Sequence, residues 1–314
     1  NATVSVGDGA TVRGDVNGAG LGNAVHIVNA DLATVNVGAG AFVFATAADW
    51  DDAVISVTSD DGATINIGSG ALVSAWSYNG STQLDLADAA GRAVINVEGA
   101  AAVINNYGTL VGLVGLTGNA DTFNNLSSNT WITVGVSAFG DGVDVLNNTG
   151  NIVTAVQGDV AEQTIFDSLE SFVNGNPAGT SGGVISLIDE TPGTLGATAA
   201  RDVTYVSGTF TGIGNSAIGL DTYIGGPGST SDRLIVVGLD ATQTPLTGTT
   251  LSGTAGLLIH DVNAGAAAYN TEGITLVQLV NGSSNATFTL DPRSSYYSPR
   301  FGGVLDKGLF IYDL

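Results

Sequence analysis

The chain has 314 residues, of which 46 are Gly and 11% are charged. Its formal net charge of −22 repels phosphate backbones and anionic lipid, so we expect no nucleic-acid partner. The absence of Cys excludes a disulfide framework, thiolate metal ligands and cysteine catalysis. Because the sequence starts at Asn1, without Met and without a signal peptide, we expect it to be a piece of a longer protein.

Short β-branched runs recur through the N-terminal third with a period of about 30 residues. The first series consists of the runs at 2–6, 33–37, 63–67 and 93–97. The second series consists of the runs at 24–28, 53–57 and 82–86. The third series follows Gly-x-Gly-Ala turns, at 11–12, 42–44 and 72–73. Three short strands per period, with no helical pattern between them, predict the coils of a parallel β-helix.

Aliphatic residues alternate with Ser or Asn along the first series. In a strand, this period of two points Val35 and Val37 inward and Asn36 outward. Successive coils are then expected to stack Asn36, Asn66 and Asn96 into a hydrogen-bonded ladder on one outer face. The same three side chains are candidates for self-association with a neighbouring copy. The alternative is a ladder that only supports its own coils.

The repeat pattern divides the chain into three parts. Residues 1–163 are expected to form regular coils, with repeats of about 30 and then about 23 residues, and residues 164–218 the last coils and a transition. All six Pro lie at or after Pro177, and Pro cannot donate to a strand ladder. Residues 219–314 are therefore expected to form a less regular C-terminal β cap that protects the open end of the coils.

The C-terminal part contains the most specific motifs of the chain. They are Gly-Leu-Asp-Thr-Tyr-Ile-Gly-Gly-Pro-Gly-Ser-Thr-Ser-Asp-Arg-Leu-Ile-Val at 219–236 and Thr-Glu-Gly-Ile-Thr-Leu-Val-Gln-Leu-Val at 271–280. Together with Gly-Leu-Phe-Ile-Tyr-Asp-Leu at 308–314, they resemble the pertactin-like C-terminal part of bacterial autotransporter passenger domains. The resemblance covers about residues 164–314 and is limited to repeat style in the rest of the chain.

The resemblance implies an all-β protein, a right-handed parallel β-helix with a less regular C-terminal cap. It implies export across the outer membrane by a C-terminal β-barrel of the parent chain, and localisation at the bacterial cell surface. It also implies that the cap is an autochaperone-like folding nucleus. The motif residues to which it assigns this folding role are Asp221, Gly225, Gly226, Ser231, Asp232, Arg233, Gly273 and Ile274. The chain departs from the family pattern at 239–250 and 291–300.

A catalytic site is the most specific alternative to a non-enzymatic passenger domain. The outward-facing His26 is expected near Ser56 and Asp85 of later coils, but nothing marks Ser56 as a nucleophile. His260 is expected at an exposed strand end. The acidic residues available for glycan cleavage are Asp49, Asp51, Asp52, Asp60 and Asp61. Because Asp is common in turns and bases are scarce in the regular coils, we expect no enzymatic activity.

A calcium motif is the third possibility. The run Gly-Asp-Gly-Val-Asp-Val-Leu at 140–146 is similar to half of the nonapeptide that binds Ca²⁺ in β-rolls. That kind of site holds each ion between tandem copies, and the sequence has no second copy. Turn formation is the simpler explanation, so we expect no metal site and no cofactor. Weak uptake of Ca²⁺ by acidic loops is left open.

The longest connections of each period are expected to stack along one edge of the coils, at about 13–23, 45–53 and 74–82. The candidates for ligand contact on these edge loops are Asp49, Trp50, Asp51, Asp52, Trp76 and Tyr78. Exposed aromatic residues flanked by acids can bind a glycan or a protein partner. The alternative is that the rings fold back over the coils.

The resemblance and the lack of an enzyme signature predict an exported passenger that acts in adhesion, bacterial aggregation or biofilm formation. The expected partner is a host-cell or extracellular glycan or protein, or the same protein on a neighbouring cell. A second hypothesis is a passive stalk that presents a missing N-terminal effector domain. A third hypothesis, from a different class, is a polysaccharide-processing enzyme.

Overall fold

In the computed structural model, the described residues are 1–14, 22–46, 50–75, 85–126, 129–158, 160–176, 182–191, 201–238, 249–300, 303–308 and 310–312. Their regular structure consists of a 26-stranded sheet, a 3-stranded sheet and the short helix α1 (Leu86–Ala90). Within these residues, no helix has the length and apolar character needed to cross a membrane.

The strands of the N-terminal half are β1 (Ala2–Val6), β2 (Thr11–Gly14), β3 (Val25–Val37), β4 (Phe42–Ala45), β5 (Ile55–Ile67), β6 (Leu72–Ala75), β7 (Ala93–Gly99), β8 (Ala102–Asn106), β9 (Thr109–Val111), β10 (Leu113–Gly115), β11 (Thr122–Asn125), β12 (Thr130–Ile132), β13 (Gly135–Ala138), β14 (Val145–Asn148) and β15 (Asn151–Val153). Those of the C-terminal half are β16 (Gln163–Asp167), β17 (Ser171–Asn174), β18 (Val184–Ser186), β19 (Val203–Val206), β20 (Thr209–Gly212), β21 (Ala217–Thr222), β22 (Arg233–Val237), β23 (Thr249–Asp261), β24 (Val277–Val280), β25 (Gly282–Ser284), β26 (Thr287–Leu290), β27 (Tyr297–Ser298), β28 (Val304–Lys307) and β29 (Phe310–Tyr312).

Each strand of the large sheet pairs in parallel with the equivalent strands of the coils before and after it, which gives three ladders. Ladder A is formed by β1, the second halves of β3 and β5, β8, β11, β14, β17, β20, the first half of β23 and β25. Ladder B is formed by β2, β4, β6, β9, β12, β15, β18, β21, the second half of β23 and β26. Ladder C is formed by the first halves of β3 and β5, β7, β10, β13, β16, β19, β22 and β24. The predicted parallel β-helix is thereby confirmed.

The length of a coil varies although its strands stay in register. Asn36 and Asn66 occupy equivalent positions of ladder A and are 30 residues apart. The following steps along the same ladder are 39, 19 and 23 residues. Because the paired strands keep the same alternation of inward and outward side chains, these differences are absorbed by the connections between strands.

The 39-residue step contains α1, which begins after the N-cap Asp85. The carboxylate of Asp85 accepts the N–H of Asp88 at 3.3 Å, as N-cap residues commonly do. The predicted strand at 82–86 is therefore wrong at its end, because Leu86 is helical. Residues 82–84 lie outside the described residues.

The run at 93–97 lies in ladder C and not in ladder A, where the sequence placed it. Its Ile95 is opposite Ile55, whereas ladder A continues from β5 to β8. The prediction failed because the runs of both ladders share the alternation Ala-x-Ile-x-Val or a close variant. Spacing alone then selected the wrong partner for this run.

The side chains inside the coils form one continuous core. It is aliphatic in the N-terminal coils, where Val35, Ile65 and Ile104 are fully buried along ladder A. Farther along, contacting aromatic rings fill the interior with centroids 4.7 to 5.6 Å apart. These buried rings are Phe123, Trp131, Phe166, Phe172 and Phe210. Such aromatic pairs each contribute about 0.5–1.5 kcal/mol beyond area burial, which links each coil to the next.

The parallel coils extend farther towards the C terminus than the sequence predicted. Ladders A and B continue through β25 and β26, so that the described strands from β21 to β26 belong to coils rather than to an irregular cap. The cap is the antiparallel sheet of β27, β28 and β29 at 297–312. Pro227 and Pro292 do not interrupt the ladders, because both lie in turns.

Candidate functional site

An outer row of amide side chains runs along ladder A. Its members are joined by hydrogen bonds of 2.9 Å from Nδ2–H to Oδ1, and they are Asn36, Asn66, Asn105, Asn124 and Asn147. The predicted bond between Asn36 and Asn66 is present. Each bond uses one N–H of a carboxamide, which leaves the second N–H for another acceptor.

Asn96, the third residue predicted for this row, lies elsewhere. It belongs to ladder C, opposite Ser56, and its Nδ2–H donates to Oε1 of Glu98 at 3.3 Å. The position beside Asn66 is taken by Asn105. The error follows directly from the misplacement of the run at 93–97.

The outward side chains of ladder A form an uncharged surface, which we call the A face. One row contains Ser5, Asn36, Asn66, Asn105, Asn124, Asn147, Val173, Thr211 and Ser252. The adjacent row contains Thr3, Thr34, Thr64, Val103, Thr122, Val145, Ser171 and Thr209. Among these described strand positions none is charged, although the whole chain has a net charge of −22. The A face therefore differs sharply in charge from the chain average.

A second row of Asn lies inside the coils. Its members bond to one another at 2.8 Å, have no exposed surface, and are Asn106, Asn125, Asn148 and Asn174. At one end, Nδ2–H of Asn174 donates to the carbonyl of Ala217 at 3.3 Å. This row was not predicted from the sequence, because inward positions were expected to be aliphatic. The available signal was the repeated Asn-Asn pair at 105–106, 124–125 and 147–148.

The described part of the edge loops does not form an open aromatic surface. Asp49, Trp76 and Tyr78 lie outside the described residues. The ring of Trp50 packs on ladder C, where a Cβ at Gly115 would come within 2.9 Å of ring atoms Cε3 and Cζ3. Oδ1 of Asp52 accepts the N–H of Gly22 at 3.1 Å, and Asp51 is exposed. This geometry matches the alternative in which the ring folds back over the coils.

The three residues considered for a hydrolytic triad do not converge. His26 is exposed and lies opposite Ser56 in ladder C, but Asp85 caps α1 and is not on that ladder. A Ser–His–Asp site requires the acid to hydrogen-bond the imidazole while the imidazole reaches the hydroxyl. The ladder position next to Ser56 is held by Asn96, so the predicted stacking of Asp85 in this column is wrong.

His260 is the penultimate residue of β23, at a strand end as expected, but it is half-buried rather than exposed. It lies opposite Asp221 of ladder B, and its Nδ1 is hydrogen-bonded to Oδ1 of Asp221. This bond raises the pKa of His260. The pair thus favours an imidazolium beside a buried carboxylate.

Acidic residues stand immediately before successive strands of ladder C. Oδ1 of Asp202 accepts the N–H of Glu162 at 2.6 Å, and Oδ1 of Asp232 accepts the N–H of Asp202 at 3.0 Å. Each carboxylate thus binds the backbone of the coil before its own. Oδ2 of Asp221 follows the same rule, accepting the N–H groups of Asp189 at 2.8 Å and Glu190 at 2.9 Å.

Five of these acids form one compact group, the acidic cluster, at the corner between ladders B and C. It consists of Asp189, Glu190, Asp202, Asp221 and Asp232. Ligand atoms of Asp189, Glu190 and Asp221 lie within 4.8 Å of one another, as do those of Glu190, Asp202 and Asp232. Glu190 is shared by the two groups, and such spacing allows oxygen atoms to surround a common cation.

Several oxygens of the acidic cluster are buried without a hydrogen-bond donor among the described residues. They are Oδ1 and Oδ2 of Asp189, Oε2 of Glu190 and Oδ2 of Asp202. Glu190 is 5% exposed and Asp202 is 1% exposed, so water has little access to either side chain. Buried carboxylate oxygens without a donor are costly, which makes this group unusual within a folded protein.

The environment changes the proton affinity of the acidic cluster. Burial, reinforced by neighbouring carboxylates, raises the pKa of Asp202 to about 8 and that of Asp232 to about 9. Burial and the neighbouring acids also raise the pKa of Glu190 and Asp189. Burial acts in the same direction on Asp221, but bonds from His260, Glu190 and the backbone outweigh it and lower the pKa of Asp221.

A separate acidic column precedes the strands of ladder A. Oδ1 of Asp121 accepts the N–H of Ala102 at 2.5 Å, Oδ1 of Asp144 that of Asp121 at 2.7 Å, and Oε2 of Glu170 that of Asp144 at 2.7 Å. Burial and the charges of Asp121 and Glu170 raise the pKa of Asp144 to about 7, against backbone bonding. The run at 140–146 therefore contributes Asp144 to this column.

The motif residues of the C-terminal segment lie in two places that meet at the end of the coils. Asp221, Ser231, Asp232 and Arg233 lie around the start of β22, and Ser231 pairs with Thr222 in an antiparallel bridge. Gly225 and Gly226 occupy the intervening turn, whereas Gly273 and Ile274 line an open apolar cavity of about 880 Å³. The N–H of Gly228 donates to Oε2 of Glu272 at 3.1 Å and joins the two segments.

No protein-family model, no curated protein and no solved structure matches the chain.

Proposed function

We propose that the chain is an exported β-helical passenger of the bacterial cell surface that acts in adhesion by contact between copies on neighbouring cells. The observation that supports this proposal is the A face, an uncharged Thr- and Asn-rich surface on a chain of net charge −22. Two chains of this net charge repel each other, most strongly where acidic surfaces meet. The described outward positions of the A face bring no such charges together.

The chemistry of the A face is self-complementary. Hydroxyl groups of Thr and Ser and the carboxamides of Asn both donate and accept hydrogen bonds, so that the same surface serves as either partner. With parallel strands about 4.8 Å apart, the rows that begin at Thr3 and Ser5 run for roughly 40 Å along the coils. The two rows of the A face together cover roughly 600 Å², which is below the roughly 800 Å² per partner of a standard protein–protein interface.

A single pair of A faces is therefore expected to bind weakly. Many copies on two opposed cells act together, since the first contacts raise the effective concentration of the others. The proposed activity is thus a property of displayed protein, and a settling assay on cells detects it better than dimerisation of the purified chain.

Export, surface localisation and a folding role of the C-terminal end belong to the same proposal and rest on the autotransporter resemblance at 219–236 and 271–280. A passive stalk is the second candidate function. The observation that favours the stalk is the packing of Trp50 on Gly115, which removes that ring from the expected ligand surface.

The test uses the parent protein displayed on a bacterium that does not clump. Thr122 and Thr130 lie in the same coil and are half-buried on ladders A and B respectively, so they form a matched pair. We expect Thr122→Glu to abolish settling by adding charge to the A face, and Thr130→Glu to leave it at the wild-type rate. If wild-type cells do not settle, or if Thr122→Glu cells settle as fast as wild-type cells with equal display, the adhesion proposal is wrong and the stalk is favoured.

A further inference from the structure

The acidic cluster joins two consecutive coils. Asp189 and Glu190 follow β18 and Asp202 precedes β19, whereas Asp221 lies on β21 and Asp232 precedes β22 of the next coil. Carboxylates from both coils therefore face one another across the coil boundary, in two groups that share Glu190. Any ligand held between them connects the coils directly.

The chain supplies little positive charge to this cluster. Within the described residues, the ion pair made by a cluster carboxylate is that of Asp221 with His260. Arg201 is exposed beside Asp202, and the remaining described ion pairs of basic side chains involve other acids. Four of the five acids are buried and Asp189 is half-buried. Full ionisation of all five beside one imidazolium would leave a large negative excess in a medium of low dielectric.

The hydrogen bonds favour ionised carboxylates at two places in the cluster. Oδ1 and Oδ2 of Asp232 accept the N–H groups of Asp202 and Asp221 at 3.0 and 2.8 Å. Asp221 accepts two further N–H groups on Oδ2 and the imidazole of His260 on Oδ1. Mutual repulsion opposes this ionisation, and a bound cation removes the repulsion while leaving every backbone donor satisfied.

Two buried carboxylate oxygens of the acidic cluster are available to a cation. Oε2 of Glu190 and Oδ2 of Asp202 are buried, lack a hydrogen-bond donor among the described residues, and belong to the group that contains Asp232. Carboxylate oxygens bind hard cations such as Ca²⁺, Mg²⁺ and Mn²⁺. Ca²⁺ takes six to eight oxygens at about 2.3–2.6 Å in flexible geometry, whereas Mg²⁺ retains several waters that a buried corner does not admit.

We propose that the acidic cluster is a calcium site in which Glu190 bridges the carboxylates of Asp189 and Asp221 on one side and those of Asp202 and Asp232 on the other. The ion links the coil that contains β18 and β19 to the coil that contains β21 and β22. Its binding free energy stabilises the folded chain, because the unfolded chain does not hold these five acids together. The site is independent of the proposed adhesive function.

The test is a thermal unfolding series on the metal-free protein at about pH 8, with added CaCl₂, MgCl₂ or MnCl₂ and with a chelator as reference. We expect Ca²⁺ to raise the Tm by roughly 5 °C at a hundredfold excess over its Kd, and Mg²⁺ to raise it less. The variant Glu190→Gln keeps the side-chain shape but removes the shared charge. We expect it to lose the response to Ca²⁺.

Asp144→Asn is the matched control, since Asp144 is an equally buried acid in the separate column of ladder A. We expect this variant to keep the wild-type response to Ca²⁺. If Glu190→Gln fails to fold, Asp189→Asn replaces it, because Asp189 belongs to one ligand group only.

Two results would overturn the calcium site. A wild-type Tm that none of the three cations changes, together with a Glu190→Gln variant at least as stable as wild type, would mean that the acids share protons instead. A response to Ca²⁺ that survives in both Glu190→Gln and Asp189→Asn would mean that the ion binds elsewhere.

Discussion

Nζ of Lys307, on strand β28 of the antiparallel cap, forms a buried ion pair with Oδ2 of Asp261 at the end of β23. Lys307 also donates to the carbonyl of Asn263 at 2.7 Å, and its side chain is 7% exposed. Oδ1 of Asp261 accepts the N–H of Ile224 at 3.1 Å. One lysine therefore connects the cap to the last coils.

We expect Lys307→Met to destabilise the chain by about 3–5 kcal/mol, because it leaves the carboxylate of Asp261 buried without its cation. Chemical denaturation followed by circular dichroism measures the loss. Arg300→Met is the control, since Arg300 is an exposed base of the same cap and should change stability little. If the Lys307 variant were as stable as wild type, the ion pair between Lys307 and Asp261 would not stabilise the contact between the cap and the coils.

The inner and outer Asn rows are expected to contribute differently to the free energy of unfolding. Asn125 is fully buried and bonds to Asn148 and to the carbonyl of Asn151, whereas its neighbour Asn124 belongs to the outer row. We expect Asn125→Ala to cost about 2–4 kcal/mol, because it leaves buried donors and acceptors unpaired, and Asn124→Ala about 0.5–1.5 kcal/mol. Urea unfolding of both variants checks this order, and a larger loss for Asn124→Ala would contradict it.

Asp144 is expected to make stability depend on pH. Burial and the charges of Asp121 and Glu170 raise its folded-state pKa to about 7, above the ordinary value of 3.8. The folded chain therefore holds this proton when the unfolded chain has lost it, and the stability that depends on it disappears as pH rises from about 4 through about 7. The loss is on the order of 2–4 kcal/mol for this group.

The check is the free energy of unfolding at about pH 5 and about pH 8 for wild type and Asp144→Asn. The neutral amide cannot ionise, so we expect a smaller decrease between the two pH values in the variant. A decrease as large as that of wild type would assign the pH dependence to other groups.

The substitution Trp50→Ala distinguishes cell contact through the edge loops from cell contact through the A face. Trp50 packs on Gly115 and is therefore expected to serve stability rather than cell contact. We expect Trp50→Ala to leave settling of displaying cells unchanged while it lowers the Tm. Slower settling at an unchanged Tm would restore the edge loop as the contact surface, with Asp51 and Asp52 as its acids.

The sequence predicted the three-stranded coil because aliphatic and polar residues alternate in the ladder A segments of β3 and β5, at 33–37 and 63–67. It did not predict to which ladder each run belongs. A coil can lengthen from 30 to 39 residues while the strands of ladder A keep their pairing, because the connections absorb the difference. This is why Asn96 was expected where the structure has Asn105. Register in a β-helix depends on backbone pairing, and neighbouring ladders with similar alternation offer competing partners.

The acidic cluster and the inner Asn row could not be derived from spacing. Asp202 and Asp232 are 30 residues apart, and Asp189 and Asp221 are 32 apart, but the coils between them contain connections of unrelated length. An inward Asn such as Asn125 also contradicts the simple rule that inward positions are aliphatic. A visible signal was an acid directly before a strand of ladder C, as at Asp202 and Asp232.

The proposed adhesion requires contact between A faces of the same protein on neighbouring cells. The most direct measurement mixes two cell populations with different fluorescent labels, one displaying wild type and the other Thr122→Glu. We expect clumps of wild-type cells that exclude the variant cells, while Thr130→Glu cells join them freely. Clumps that contain wild-type and Thr122→Glu cells in equal proportion would contradict contact between A faces and indicate a different surface or partner.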